Sequence, residues 1–210
     1  MKLQLALDRL DWDECFRIVY EVDEYIDIVE IGTGVIKEYG MSIVRELRKA
    51  FPHHILLADM KICDAGRHEA TQAFASGADI ATVMAFAPPA TIQETIVTAR
   101  EHGAEMMVDL LGVSERNKVE EINELQPDYL GLHVGKDEQK TGKKADSPFA
   151  FVEGMTLKKA IAGGITLETL PDVSRHQPDI VIVGSALTKA TNPKQVAKEM
   201  KAILKENKNG

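Results

Sequence analysis

Leu56-Leu57-Ala58-Asp59-Met60-Lys61-Ile62-Cys63-Asp64-Ala65-Gly66 opens as an apolar strand and closes with two carboxylates and an ammonium. Moving such charges out of water is costly unless they pair or bind something, so the run marks a site as well as a strand. Residues two apart on a strand share a face, which puts Asp59 and Lys61 on one side and Met60 on the other. Asp64 falls past the strand end, in a turn marked by Ala65-Gly66. A carboxylate, an amine and a second carboxylate at a strand terminus can pair, order a divalent cation, and stabilise negative charge developing on a substrate.

The same pattern recurs along the chain. Strands are predicted over 3–8, 27–31, 78–83, 105–110, 129–134, 159–162 and 180–183, besides the one quoted. In the first, Leu3, Leu5 and Leu7 alternate with Gln4, Ala6 and Asp8. Helices are predicted between them: over 11–20, from 35 to 50, from 64 to 76, then from a capping box at Thr91-Ile92-Gln93-Glu94 to His102. Ser114 opens the next, Thr166 another, and Asn192-Pro193 places a capping residue and an initial proline before the last. The polar stretch 135–155 reads as a mobile loop with a short helical piece near 149–152. Strands alternating with helices in this way predict a single domain over 1–210, a closed (β/α)8 TIM barrel. An open doubly wound sheet is the structural rival, but no Gly-x-Gly-x-x-Gly follows the first strand.

Composition narrows the function. Apolar residues make up 44% and charged ones 28%, and no apolar run approaches the ~20 residues of a membrane span. The first residues are broken by Asp8 and Arg9 too early for a signal peptide, so a cytoplasmic protein is expected. A net charge of -8 argues against nucleic acid. Cys15 and Cys63 alone supply neither a disulfide framework nor a thiolate zinc site.

Asp8, Glu30, Asp59, Lys61, Asp109 and His133 all fall at or near the C-terminal ends of their predicted strands. Each has a structural explanation when taken singly. In a barrel those ends gather at one mouth, so together they point to an active site. Gly163-Gly164 and Gly184-Ser185 end the seventh and eighth strands, where bare backbone can approach the oxygens of a phosphorylated substrate.

These residues also carry a resemblance. Asp59-x-Lys61-x-x-Asp64 resembles the signature of the orotidine monophosphate decarboxylase superfamily. Leu3 to Asp8, Val29-Glu30-Ile31-Gly32-Thr33, Ala162-Gly163-Gly164-Ile165 and Val183-Gly184-Ser185-Ala186 are similar to the branch that holds 3-hexulose-6-phosphate synthase and 3-keto-L-gulonate-6-phosphate decarboxylase. The resemblance implies Mg2+ held by Glu30 and Asp59, and an enediolate stabilised by that ion and Lys61. It further implies substrate hydroxyls on Asp8 and Asp109, proton transfer by His133, and phosphate on the two glycine stops. It implies a homodimer with shared active sites, Asp64 reaching the neighbour's site and Met84, Phe86 and the following prolines lying near the interface.

Asp109 and His133-Val134-Gly135-Lys136-Asp137-Glu138-Gln139 resemble the synthases, which implies aldol addition of ribulose 5-phosphate to formaldehyde. Lys136 stands where the decarboxylases carry arginine, keeping carbon dioxide loss as the alternative. Orotidine monophosphate decarboxylation fits less well, because Ala65-Gly66 replaces the Ile-Pro of that enzyme and Gly184-Ser185 lacks its phosphate-side arginine. A barrel that binds a sugar phosphate without turning it over is a third reading.

Overall fold

The computed structural model describes residues 1–134 and 147–206. Eight parallel strands close in sequence order into a barrel: β1 Lys2–Leu7, β2 Ile28–Ile31, β3 Ile55–Ile62, β4 Ile80–Met84, β5 Glu105–Asp109, β6 Tyr129–His133, β7 Lys158–Ala162 and β8 Ile180–Val183. The ring closes where Lys2 to Leu5 of β1 run in register with Ile180 to Val183 of β8. Around it lie α1 Trp12–Val22, α2 Thr33–Tyr39, α3 Met41–Ala50, α4 Gly66–Ala75, α5 Pro89–Glu101, α6 Arg116–Glu124, α7 Leu170–Ser174, α8 Ser185–Thr188 and α9 Pro193–Glu206. This is the predicted (β/α)8 TIM barrel. None of the described helices is long and apolar enough to cross a membrane.

Several predicted boundaries move. The expected helix over 35–50 is two helices, because Gly40 breaks it with φ of 62°. The capping box at Thr91 is not used: α5 starts at Pro89, whose ring fixes a helical φ and whose missing N–H costs nothing in a first turn. The helix expected at Thr166 begins only at Leu170, with Pro171 in its first turn. Asn192 does cap the last helix, its Oδ1 accepting from the Gln195 amide at 3.0 Å. The loop reading for 135–146, including Lys136, lies outside the described residues, and a 3-10 segment spans Ser147–Val152.

Strand parity divides the lumen into an apolar floor and a polar mouth. Ile28, Leu57, Ile80, Met107, Tyr129, Ala160 and Ile180 pack together as one buried cluster inside the ring. Two residues further along the same strands stand Glu30, Asp59, Thr82, Asp109 and Gly131, all lining a cavity. The period of two therefore raises the polar groups into one layer, on a floor that excludes water. The larger cluster, with Leu3, Leu5 and Leu7 among its members, fills the space between sheet and helices.

At the opposite, N-terminal end of the barrel a clasp repeats four times. Asp27, Asp79, Asp128 and Asp179 each stand just before an even-numbered strand. Their Oδ2 atoms accept the backbone N–H of Leu3, Leu56, Met106 and Lys159, near the starts of the odd-numbered strands, at 2.7 to 2.8 Å. Each aspartate amide donates back to the carbonyl of the same residue. Strand ends that would leave unpaired amides are thus satisfied by carboxylates, which accept more strongly than a neutral group. Asp128→Ala should remove about 1.5–3 kcal/mol of stability by orphaning the Met106 amide, whereas Asp128→Asn keeps an acceptor and loses less. Urea unfolding checks this as a lower midpoint with unchanged slope.

Candidate active site

The cavity at the C-terminal mouth of the barrel holds about 390 Å³. Its lining includes nearly all the residues singled out from the sequence: Asp8, Glu30, Asp59, Lys61, Asp109, His133, Gly163, Gly164, Gly184 and Ser185. Asp64 is the exception. It is exposed, outside the cavity, and its Oδ1 accepts from the Ala65 amide at 2.8 Å.

Lys61 is the centre of the arrangement. Its Nζ donates to Asp109 Oδ2 at 2.6 Å and to the Asp59 carboxylate at 3.1 Å, so its second carboxylate is Asp109 from β5 and not the nearby Asp64. The lysine reaches both through an irregular backbone. Its φ is 49°, and the β3–β4 register shifts between Ala58 and Ile62. A left-handed conformation at a non-glycine residue costs about 1 kcal/mol, and a bulge re-aims the side chain it carries. The Lys61 amide is satisfied all the same, donating to Thr82 Oγ1 at 2.9 Å. Met60, on the other face, packs against the outer core as alternation predicts.

Asp59 is buried and held from several sides. Thr82 donates to its Oδ1 at 2.8 Å, and the Thr33 hydroxyl lies 2.7 Å from its Oδ2. Glu30 is also buried, and the neutral amide of Gln4 donates to its Oε2 at 2.6 Å. Gln4 Oε1 is buried without a partner among the described residues. Gly32 lets β2 pass this close to β1: a Cβ there would stand 2.5 Å from Asp8 Oδ1 and 2.6 Å from the Leu7 carbonyl.

The electrostatics set the two acidic ends apart. Burial would raise the Asp109 carboxyl, but the hydrogen bond from His133 and the charge of Lys61 outweigh it and hold Asp109 at about 2. Burial would likewise lower Lys61, yet Asp59 and Asp109 keep its ammonium above the ordinary range. Glu30 goes the other way. Burial pushes its carboxyl well above the usual range, and Asp59 and Asp8 push it further, with only partial relief from Gln4 and Lys61. His133 Nδ1 lies 3.3 Å from Asp109 Oδ2. An ionised carboxylate can only accept, so Nδ1 carries a proton, and a ring protonated there alone has its lone pair on Nε2.

At the far side of the cavity Gly163 and Gly164 have φ of 125° and 65°. A Cβ on Gly163 would meet the Val134 carbonyl at 2.9 Å, so this stretch is bare backbone by necessity. Reading by charge and motif passed over Gln4 and Thr82. Both sit at inward parity in apolar strands, which was the available signal, but an uncharged polar residue there looks like ordinary strand composition.

The chain is similar to known proteins over nearly its whole length. The family described as Orotidine 5'-phosphate decarboxylase / HUMPS matches residues 1–200. A protein of Bacillus subtilis named 3-hexulose-6-phosphate synthase is 40% identical over 207 residues, covering 97% of this chain and 99% of its own length. The crystal structure of 3-hexulose-6-phosphate synthase from Salmonella typhimurium superposes with a TM-score of 0.96 at 35% identity, covering 99% of this chain and 100% of that one. A 3-keto-L-gulonate-6-phosphate decarboxylase from Vibrio cholerae gives 0.83 at 28%, covering 98% and 97%.

The raised Glu30 carboxyl makes the native state bind a proton more tightly than the unfolded chain does. Its contribution to stability is therefore present below the unfolded pKa, ~4.3, and is lost as pH rises through the higher native value. Glu30→Gln removes the charge and keeps a carbonyl for Gln4. The variant should melt higher at neutral pH, by about 2–4 °C per kcal/mol of relieved repulsion, and the gap should close as pH falls toward ~4. Asp109→Asn should do the reverse, melting lower at neutral pH, with its deficit shrinking as pH falls from ~4 toward 2, a window set by its depressed pKa of about 2. Calorimetric melting across that range checks both signs.

Proposed function

This chain belongs to the orotidine 5'-phosphate decarboxylase / HUMPS family, and from that premise we propose that it is a carbon–carbon lyase acting as a 3-hexulose-6-phosphate synthase. It adds formaldehyde to ribulose 5-phosphate in an aldol condensation through an enediolate. The observation that carries this reading is the Lys61 ammonium held between Asp59 and Asp109, with His133 on the same Asp109 oxygen, beside a buried and uncompensated Glu30.

A magnesium ion fits the residues present. Among the described residues, four carboxylates line the cavity, Asp8, Glu30, Asp59 and Asp109, against two permanent cations, Lys61 and Arg9. Lys61 is committed to Asp59 and Asp109, which leaves Glu30 with a neutral amide. An all-oxygen set with surplus negative charge suits a hard dication, which Glu30 and Asp59 would hold. Such an ion supplies positive charge against the negative charge that develops on substrate oxygens.

The chain's own residues supply the remainder. His133 Nε2, with its lone pair fixed by the bond of Nδ1 to Asp109, accepts the proton from C1 of the ketose phosphate. Lys61 places a full positive charge next to the oxygens of the resulting enediolate, in a cavity whose apolar floor keeps the interaction strong. C1 then attacks formaldehyde, and the new alkoxide takes back a proton. Asp8 and Asp109 accept from substrate hydroxyls, and the bare backbone of Gly163-Gly164 with Gly184 and Ser185 receives the phosphate. The protein works as a cytoplasmic homodimer in which Asp64, exposed on its own subunit, completes the site of the second copy. Exposed Phe86 lies at the same end of the barrel, while Met84 is buried in the protomer.

Decarboxylation of 3-keto-L-gulonate 6-phosphate is the second reading, supported by the shared fold of the Vibrio cholerae enzyme. The 40% identity to a named synthase and Asp109 in the hydroxyl-binding position favour the aldol reaction. A paired assay with magnesium distinguishes them: ribulose 5-phosphate plus formaldehyde should be consumed, and 3-keto-L-gulonate 6-phosphate turned over far more slowly. The converse ratio would reverse the assignment, and magnesium-independent binding without turnover of either would leave a sugar-phosphate receptor. Lys61→Ala should lower kcat/KM by more than about 1000-fold, since it removes the charge and leaves Asp59 facing Asp109.

A further inference from the structure

A second cluster of ligand-type side chains lies at the other end of β3 from Lys61. His53 and His54 immediately precede β3, and Asp23 starts the one-turn 3-10 helix Asp23–Tyr25 that leads toward β2. The Nε2 atoms of both rings are aimed at one oxygen, Asp23 Oδ1, at 3.1 Å from His53 and 2.7 Å from His54. All three ligand atoms lie within 4.8 Å of one another, and this is the one such group found among the described residues.

We propose that Asp23, His53 and His54 form a structural site for a divalent transition metal, with zinc as its occupant, distinct from the oxygen-rich cavity at the barrel mouth. Ligand atoms about 2.0–2.1 Å from a tetrahedral zinc stand about 3.3 Å apart; the His53 contact of 3.1 Å is near that spacing, and the His54 contact of 2.7 Å is a hydrogen bond that an ion would open and replace. Two imidazoles and one carboxylate are the donor set that borderline-soft ions take, unlike the all-oxygen set around Glu30.

The ligands are also held in place. His54 is buried, its ring lies 6.2 Å from that of Phe51, and its carbonyl accepts from Arg48 Nη1 at 2.9 Å. His53 is largely exposed, which gives an ion a route in and leaves a fourth position for water. A metal here would tie the end of α1 to the segment joining α3 to β3. It would stabilise the fold by mass action without touching the chemistry at the mouth.

The test uses the full chain, stripped with chelator and then kept in excess magnesium. Zinc sulfate is titrated by calorimetry, and melting is recorded with and without zinc. One zinc per chain and a raised Tm are expected. His53→Ala should weaken binding by more than about tenfold, as should Asp23→Asn, and both should abolish the rise in Tm. His53 is exposed enough that its loss leaves the fold intact. Glu30→Gln should leave the isotherm unchanged. No zinc uptake, uptake undiminished in both cluster variants, or uptake lost in Glu30→Gln would overturn the proposal.

Discussion

One lysine makes it possible to bury acid at the mouth of this barrel. Asp59 and Asp109 rise from different strands into a layer nearly closed to water, where a lone carboxylate would take up a proton rather than stay charged. The Lys61 ammonium bonds both, and Asp109 in turn orients His133. Glu30, which that cation serves least, is the group whose pKa climbs. The contrast between Asp109 and Glu30 is a contrast in partners: Asp109 accepts from the Lys61 ammonium and bonds His133, whereas Glu30 accepts from the neutral amide of Gln4.

The backbone shows the cost of this arrangement. Lys61 occupies a left-handed conformation, and the ladder between β3 and β4 slips around it. From that slipped segment the ammonium bonds Asp59 on its own strand and Asp109 on β5. Thr82 takes part at both ends, accepting from the displaced Lys61 amide and donating to Asp59. The strain sits among the groups it positions, on a rigid strand instead of a flexible loop.

Strand parity made most of this legible before any coordinates. Alternation set Asp59 with Lys61, and the glycine stops marked where strands seven and eight end. Local rules failed where a competing local signal prevailed. Gly40 split a helix that its apolar periodicity would have continued, and Pro89 opened α5 ahead of a plausible capping box. Gln4 and Thr82 were hidden because their importance comes from what faces them across the barrel. The pairing of Lys61 with Asp109 spans 48 residues and could only come from closure of the ring. The four clasping aspartates were overlooked for the same reason: each is an ordinary strand-flanking residue until its partner strand is known.

Those aspartates also reach forward. The carbonyls of Asp27 and Asp79 accept from Ile55 and Glu105 at the starts of the next odd strands, and that of Asp179 accepts from Lys2. The joint between the eighth strand and the first is therefore built from the same parts as the joints within the chain. A ring joined so carries no special seam where its ends meet: the backward clasp recurs at all four aspartates and the forward link at three of them, Asp179 at the closure included.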